Sequence, residues 1–231
     1  IPEKLERPDD PLEKAIEFLK PLQQLAKDRI ETHLLAFEIY CRKNKILLML
    51  QSIRRAMAID ATHSSVHACI ARLAQALPKL TADQELNESI KIVIDKATKE
   101  LIGTKSVQQL NEEFVAQKDA SIMHLYEGAR IMYELEPSKR DTAINLITSY
   151  DLNKVKLEEA TKIYEALRDG VFGDCDAELS LYRAKCQQRF KYARLFKDIV
   201  DAPNAVSTED NHVDEKTKPN AISADVKTAD L

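Results

Sequence analysis

The sequence predicts an all-α fold: an α-α superhelix of antiparallel helix pairs over residues 1–200, followed by a disordered acidic tail over 201–231. Three observations carry this. Gly is rare, with 4 residues in 231, Trp is absent, and Ala, Leu, Lys and Glu dominate, which is a helical composition. No apolar run of period two is bounded by turn residues, so no sheet is expected. The stretch from Glu31 to His63, ETHLLAFEIYCRKNKILLMLQSIRRAMAIDATH, reads as two helices joined by a short basic turn at Arg42, Lys43, Asn44 and Lys45. Its ending is echoed later by A-x-x-M-Y-x-x-E-P over 129–137.

The Glu31–His63 stretch is similar to a tetratricopeptide repeat, about 34 residues in period. Ala56, Met57 and Asp60 occupy its A-L-x-x-D ending, with Ala61 where proline is usual. Met49 and Ile53 fall on packing positions of the second helix and Tyr40 on the aromatic position of the first. Ala36 and Phe37 replace the usual large-then-small pair, and His33 replaces the tryptophan. One such pair cannot bury its apolar face alone, so neighbours must stack on it.

Each element has a local reason. Asp10 caps a helix with Pro11 at its first position, and Leu12, Ile16 and Leu19 give it an apolar face. Pro21 is expected to break or kink it, with a second piece leading into the hairpin. A helix from Thr62 or Ser64 carries Val66, Ile70 and Leu73 inward and is expected to end at Pro78. Thr81 is expected to cap a long helix bearing Leu86, Ile90, Ile94 and Leu101, stopped at Gly103. Ser106 caps the next, with Val107, Leu110 and Phe114. Helices then follow over 121–135, from Ser138 through Ile147, over 156–168 up to Gly170, and finally over about Asp176–Lys197. That makes about ten helices.

Net charge is −4, and the tail carries all of it. Residues 201–231 hold seven acids against three lysines, so 1–200 is neutral, with 31 basic and 31 acidic residues. A neutral body argues against a domain that is basic all over but leaves room for local patches. The tail has too little apolar surface to offset ordering entropy. The start at Ile1 with a polar IPEKLERPDD suggests a fragment of something longer. No apolar run approaches the length of a membrane span, and no signal peptide is visible. Cys41, Cys69, Cys175 and Cys186 lack zinc-like or redox spacing and read as reduced cytosolic thiols.

Candidate chemistry is sparse. His63 and His67 stand at i, i+4, a spacing that places two ligands on one helix face. His63 precedes the helix start, however, and capping or core-edge roles explain both better. The glycines at 103, 128, 170 and 173 form no phosphate-binding loop, so no cofactor is expected. Basic residues are the better candidates for partner binding: Arg42, Lys43, Lys45 and Arg54 near the hairpin, and Arg183, Arg189, Lys191 and Arg194 in the last helix. Arg183, Lys191 and Arg194 are expected to share a stripe able to meet phosphates. The bland readings are dipole complementation near a helix C-terminus and long stems lying over apolar surface. No aromatic stacking platform is evident.

Long collinear blocks carry a wider resemblance: IPEKLERPDDPLEKAIEFLKPL, the hairpin stretch, LNEEF, ARIMYELEPS and YEALRDGVFGDCDAELSLYRAKCQQRFKYA. Over nearly all of 1–200 the chain resembles the C-terminal part of the auxiliary, tetratricopeptide-repeat subunit of the N-terminal acetyltransferase A (NatA) complex. The resemblance implies a non-catalytic cytoplasmic scaffold. Its implied partners are the catalytic acetyltransferase subunit, a small regulatory subunit and the ribosome. The Q/R-x-x-G-x-G/A turn of acetyl-CoA-binding acetyltransferases is absent, so no catalytic residue is carried over. A direct RNA- or ribosome-binding module acting through the basic last helix is the alternative, and a stand-alone enzyme has only scattered His and Cys behind it.

Overall fold

The structure, a computed structural model, describes residues 10–83 and 86–197. All regular structure among them is helical: ten α-helices and three short 3-10 turns. The helices are α1 (Pro11–Leu25), α2 (Ile30–Arg42), α3 (Ile46–Ile59), α4 (Ser64–Asp83) and α5 (Glu88–Ile102). They continue with α6 (Val107–Val115), α7 (Ile122–Leu135), α8 (Arg140–Thr148), α9 (Leu157–Arg168) and α10 (Asp176–Arg189). The expected acidic tail, 201–231, lies outside the described residues.

Local capping explains several helix starts. Asp10 Oδ1 accepts from the Leu12 and Glu13 amides, both at 3.0 Å, satisfying two donors that the first turn of α1 cannot bond internally. Ser106 and Gln109 form a reciprocal capping box on α6. Ser121 Oγ accepts from the His124 amide at 3.2 Å to start α7. The α2–α3 turn places Asn44 at φ +54°, a conformation Asn tolerates through its short polar side chain.

Neither proline ends its helix. α1 runs unbroken through Pro21, and α4 runs through Pro78 to Asp83. Leu77 and Leu80 flank Pro78 and are both buried, so packing holds the helix on either side of the missing hydrogen bond. Thr81 is therefore not a cap: its hydroxyl donates back to the Leu77 carbonyl at 2.8 Å. Asn87 caps α5 instead, accepting from the Ser89 amide.

The last helix is shorter than expected, ending at Arg189 rather than Lys197. Phe190 and Phe196 both reach the core, with ring centroids 6.1 Å apart, and Phe196 stacks edge-on against Tyr164. Six helical residues would rotate these rings well away from one another, so the chain turns and closes with a 3-10 turn at Arg194–Phe196. The Arg183 Nε donates to the Phe196 carbonyl at 3.2 Å and holds that turn.

The helices form neighbouring pairs, as a helical-repeat superhelix requires. α2 packs on α3, α7 on α8, and α9 on α10, while α2, α4, α7 and α9 follow one another as successive neighbours. One core gathers Phe37, Met49, Ile53, Leu73 and Ile94 from α2 to α5. A second gathers Ile122, Ile144, Ile163, Phe172 and Tyr182 from α7 to α10. Between them α6 meets α7 at close range, and Gly128 permits the approach. In the hairpin, His33 fills the position of the repeat's usual tryptophan. It is buried, and its Nε2 lies 2.8 Å from the Lys27 carbonyl, which fastens the α1–α2 connection.

Candidate partner-binding surfaces

The basic residues near the hairpin are mostly engaged inside the chain. Arg42 Nη1 donates to the Glu38 carbonyl at 2.9 Å and to its carboxylate at 2.8 Å, closing the last turn of α2. Lys43 is ion-paired with Glu13 of α1. Arg54 Nη2 lies 2.6 Å from Glu100 Oε2, bridging α3 to α5. Lys45 is exposed at the start of α3. Three of these four cations therefore have partners within the chain, and their charge is largely compensated.

The second basic group differs from its expected form. Because α10 ends at Arg189, Arg183, Lys191 and Arg194 do not form one helical stripe. Arg183 is turned to the Phe196 carbonyl. Arg189 closes α10 and lies over the Phe190 ring at 5.2 Å, and Lys191 and Arg194 sit on the exposed turn that follows. Tyr192 stands among them, 96% exposed. Sequence periodicity hid this ring, because a continuous helix would have given it an ordinary helical position.

The histidine and cysteine candidates are structural. His63 Nδ1 accepts from the Ser65 amide at 3.2 Å, a capping role. His67 is half-buried, stacked on Phe114 with centroids 3.6 Å apart, and its Nε2 lies 3.2 Å from Asn111 Oδ1. Burial pushes its pKa down to about 4, against the opposing bond to Asn111. Among the described residues no group of His, Cys, Asp and Glu is placed to hold a metal. All four cysteines are free thiols, and burial pushes Cys69 up to about 12 and Cys186 up to about 11. Such thiols hold their protons at neutral pH and are poor nucleophiles.

A groove that the sequence did not reveal lies where α2, α4 and α7 meet, with a cavity of about 350 Å³. Its apolar lining comes from Leu34, Leu35, Ala68 and Cys69. Two ion pairs flank it, Glu38 with Arg72 and Glu127 with Arg130. Burial raises the Glu38 carboxyl, but bonds from Arg72 and Arg42 outweigh it and hold the group below the usual carboxylate range. The one signal available in sequence was Leu35, an apolar residue beside the buried face of α2 marked by Thr32, His33, Ala36 and Phe37.

No helix among the described residues is long and apolar enough to cross a membrane.

Comparison with known proteins agrees with this architecture. The family model for "N-terminal acetyltransferase A, auxiliary subunit" matches residues 1–56. The chain is 38% identical over 225 residues to the mouse "N-alpha-acetyltransferase 16, NatA auxiliary subunit", covering 96% of this chain and 26% of that protein. The human protein of the same description is 36% identical over 214 residues, covering 92% of this chain and 24% of its own length. The Arabidopsis thaliana "N-terminal acetyltransferase A complex auxiliary subunit NAA15" is 26% identical over 211 residues, covering 84% of this chain and 23% of its own. The chain thus spans about a quarter of the length of the curated relatives it matches. Matches of this extent, on an all-helical repeat architecture, make the chain a member of the NatA auxiliary-subunit family.

Proposed function

We propose that this chain is a non-catalytic scaffold segment of NatA, supporting co-translational N-α-acetylation by a separate catalytic subunit. The observation that carries this reading is the collinear identity to auxiliary subunits along 225 residues. The stacked helix pairs support it, since such arrays offer extended surfaces to other proteins. Burial holds the Cys69 and Cys186 thiols protonated and His63 and His67 are bonded within the chain, which suits a structural role for these four residues. In this reading residues 1–200 are the repeat domain and 201–231 a tail, and the complex works in the cytoplasm. The catalytic acetyltransferase subunit, a small regulatory subunit and the ribosome are its partners. The test is acetyl transfer from acetyl-CoA to peptides beginning with Ser or Ala. The chain alone is expected to give background rates, and substantial turnover would overturn the reading.

A second reading is favoured by one observation: Tyr192 projects 96% exposed between Arg189, Lys191 and Arg194. An exposed ring among cations suits a base stacked beside phosphates. On this reading the turn after α10 touches ribosomal RNA. Binding to single-stranded RNA would then fall steeply between low and moderate salt, and Tyr192→Ala with Lys191→Ala would abolish it. Salt-insensitive binding, or none, removes this reading.

A further inference from the structure

The α2/α4/α7 groove has the makings of a peptide site. At about 350 Å³ it is at the small end of ligand pockets, which span roughly 300–1,000 Å³. That is room for one or two side chains, not for a cofactor. Its floor is aliphatic, and Leu35 at its rim is 52% exposed although it belongs to a well-packed helix. An apolar surface kept open in this way stands out against scattered surface leucines because polar groups converge on it.

Those polar groups are incompletely bonded. Glu127 is only 4% exposed, yet its Oε2 has no hydrogen-bond donor. Arg130 Nη2 is 2.9 Å from that oxygen, an ion pair without hydrogen-bond geometry, and Arg130 Nε has no acceptor. A buried polar atom left this way is costly. One donor and one acceptor are therefore wanted side by side. One extended residue supplies both from a single edge: its own N–H to Glu127 and its own C=O to Arg130. The carboxylate torsion of Glu127 is soft, so Oε2 turns toward the groove at little cost. At the other end, the one cation paired with Glu31 is Arg29, in an exposed 3.3 Å contact, whereas Glu38 is taken up by Arg42 and Arg72 and Glu127 faces Arg130 and Lys162. Glu31 is thus the least compensated carboxylate of the lining, which complements a basic residue.

We infer that this groove binds a short segment of a partner protein. An aliphatic side chain of that segment seats on Leu34 and Leu35, the N–H and C=O of one extended residue meet Glu127 and Arg130, and a neighbouring Lys or Arg meets Glu31. The site is separate from the turn carrying Tyr192 and stands whether or not the chain acts as a NatA scaffold.

The test is to pan the purified 231-residue chain against a phage-displayed random peptide library, then titrate fluorescent versions of the enriched sequences. Enrichment of an aliphatic residue next to Lys or Arg is expected, with amide-exchange protection on α2, α4 and α7. Leu35→Glu is expected to weaken binding by about tenfold or more, and Glu31→Lys to weaken it selectively for peptides with the basic residue. Both positions are exposed, and unchanged circular dichroism checks that the variants fold. Failure of any sequence to enrich, equal binding by Leu35→Glu, or protection confined to the turn around Tyr192 would overturn the inference.

Discussion

Asn111 on α6 ties His67 on α4 to the backbone of α7. Its Nδ2 donates to the Gly128 carbonyl at 2.9 Å, which fixes the amide orientation and leaves Oδ1 to accept from His67 Nε2 at 3.2 Å. His67 therefore carries its proton on Nε2. Phe114 lies between two imidazoles, His67 on one face and His124 on the other at 3.6 and 3.5 Å. His124 Nε2 in turn lies 2.7 Å from the Phe114 carbonyl. Three helices from different stretches of the chain are joined at this point, between the two large hydrophobic clusters.

Removing the Asn111 amide leaves the half-buried His67 donor without its acceptor, takes the second donor from the Gly128 carbonyl and opens a cavity between α4, α6 and α7. Asn111→Ala is expected to lower stability by about 2–4 kcal/mol. The check is a shift in the urea midpoint with an unchanged slope.

Acid acts on the same joint. His67 has a folded-state pKa lowered to about 4 from 6.5, because burial penalises its charged form. The unfolded chain thus binds this proton more readily, and the stability that His67 contributes is fully present above pH 6.5. It is lost as pH falls from 6.5 toward 4. After allowance for partial exposure, the loss is about 2 kcal/mol. Stability measured across that window should fall in the parent chain and fall less in His67→Gln.

Gly128 is a packing glycine. A Cβ built there would come within 2.3 Å of Val115 Cγ2, and valine is stiff about χ1, so it cannot swing aside. Gly128→Ala is expected to cost about 1–3 kcal/mol despite the better helix propensity of alanine. Adding Val115→Ala should recover part of that loss, read as a favourable coupling in a double-mutant cycle.

Pro78 gives a prediction of opposite sign. It sits inside α4, held there by Leu77 and Leu80. Pro78→Ala restores an N–H for the Ala74 carbonyl and removes the ring clash, while freeing the unfolded chain somewhat. A net gain of about 1–2 kcal/mol is expected, seen as a higher melting temperature.

These residues also show what sequence can convey. The caps at Asp10 and Ser106 and the α2–α3 turn were legible because each depends on residues within one turn of one another. Burial of Met49 and Ile53 was legible from the repeat pattern. Pro78 misled because Leu77 and Leu80, packed into the core, outweigh one missing hydrogen bond. The end of α10 misled for a similar reason: Phe190 and Phe196 are drawn into a core built by α7 to α9. The groove was hidden because one of its two ion pairs joins residues far apart, Glu38 with Arg72 across 34 positions. Leu35 was visible, but nothing local said that α7 would bring Glu127 beside it. The exposed basic turn was half legible: the cations were in view, and the ring among them emerged only once the helix stopped.

The central claim is that this chain is a scaffold segment working with a separate acetyltransferase. Its most direct test is a pull-down of the tagged chain from cytosolic extract at low and moderate salt, read by mass spectrometry. The scaffold account predicts recovery of the catalytic acetyltransferase subunit or its small regulator at both salts. Recovery of neither at either salt would contradict it, and recovery only of ribosomal proteins and RNA, lost at moderate salt, would replace it with the RNA-binding reading.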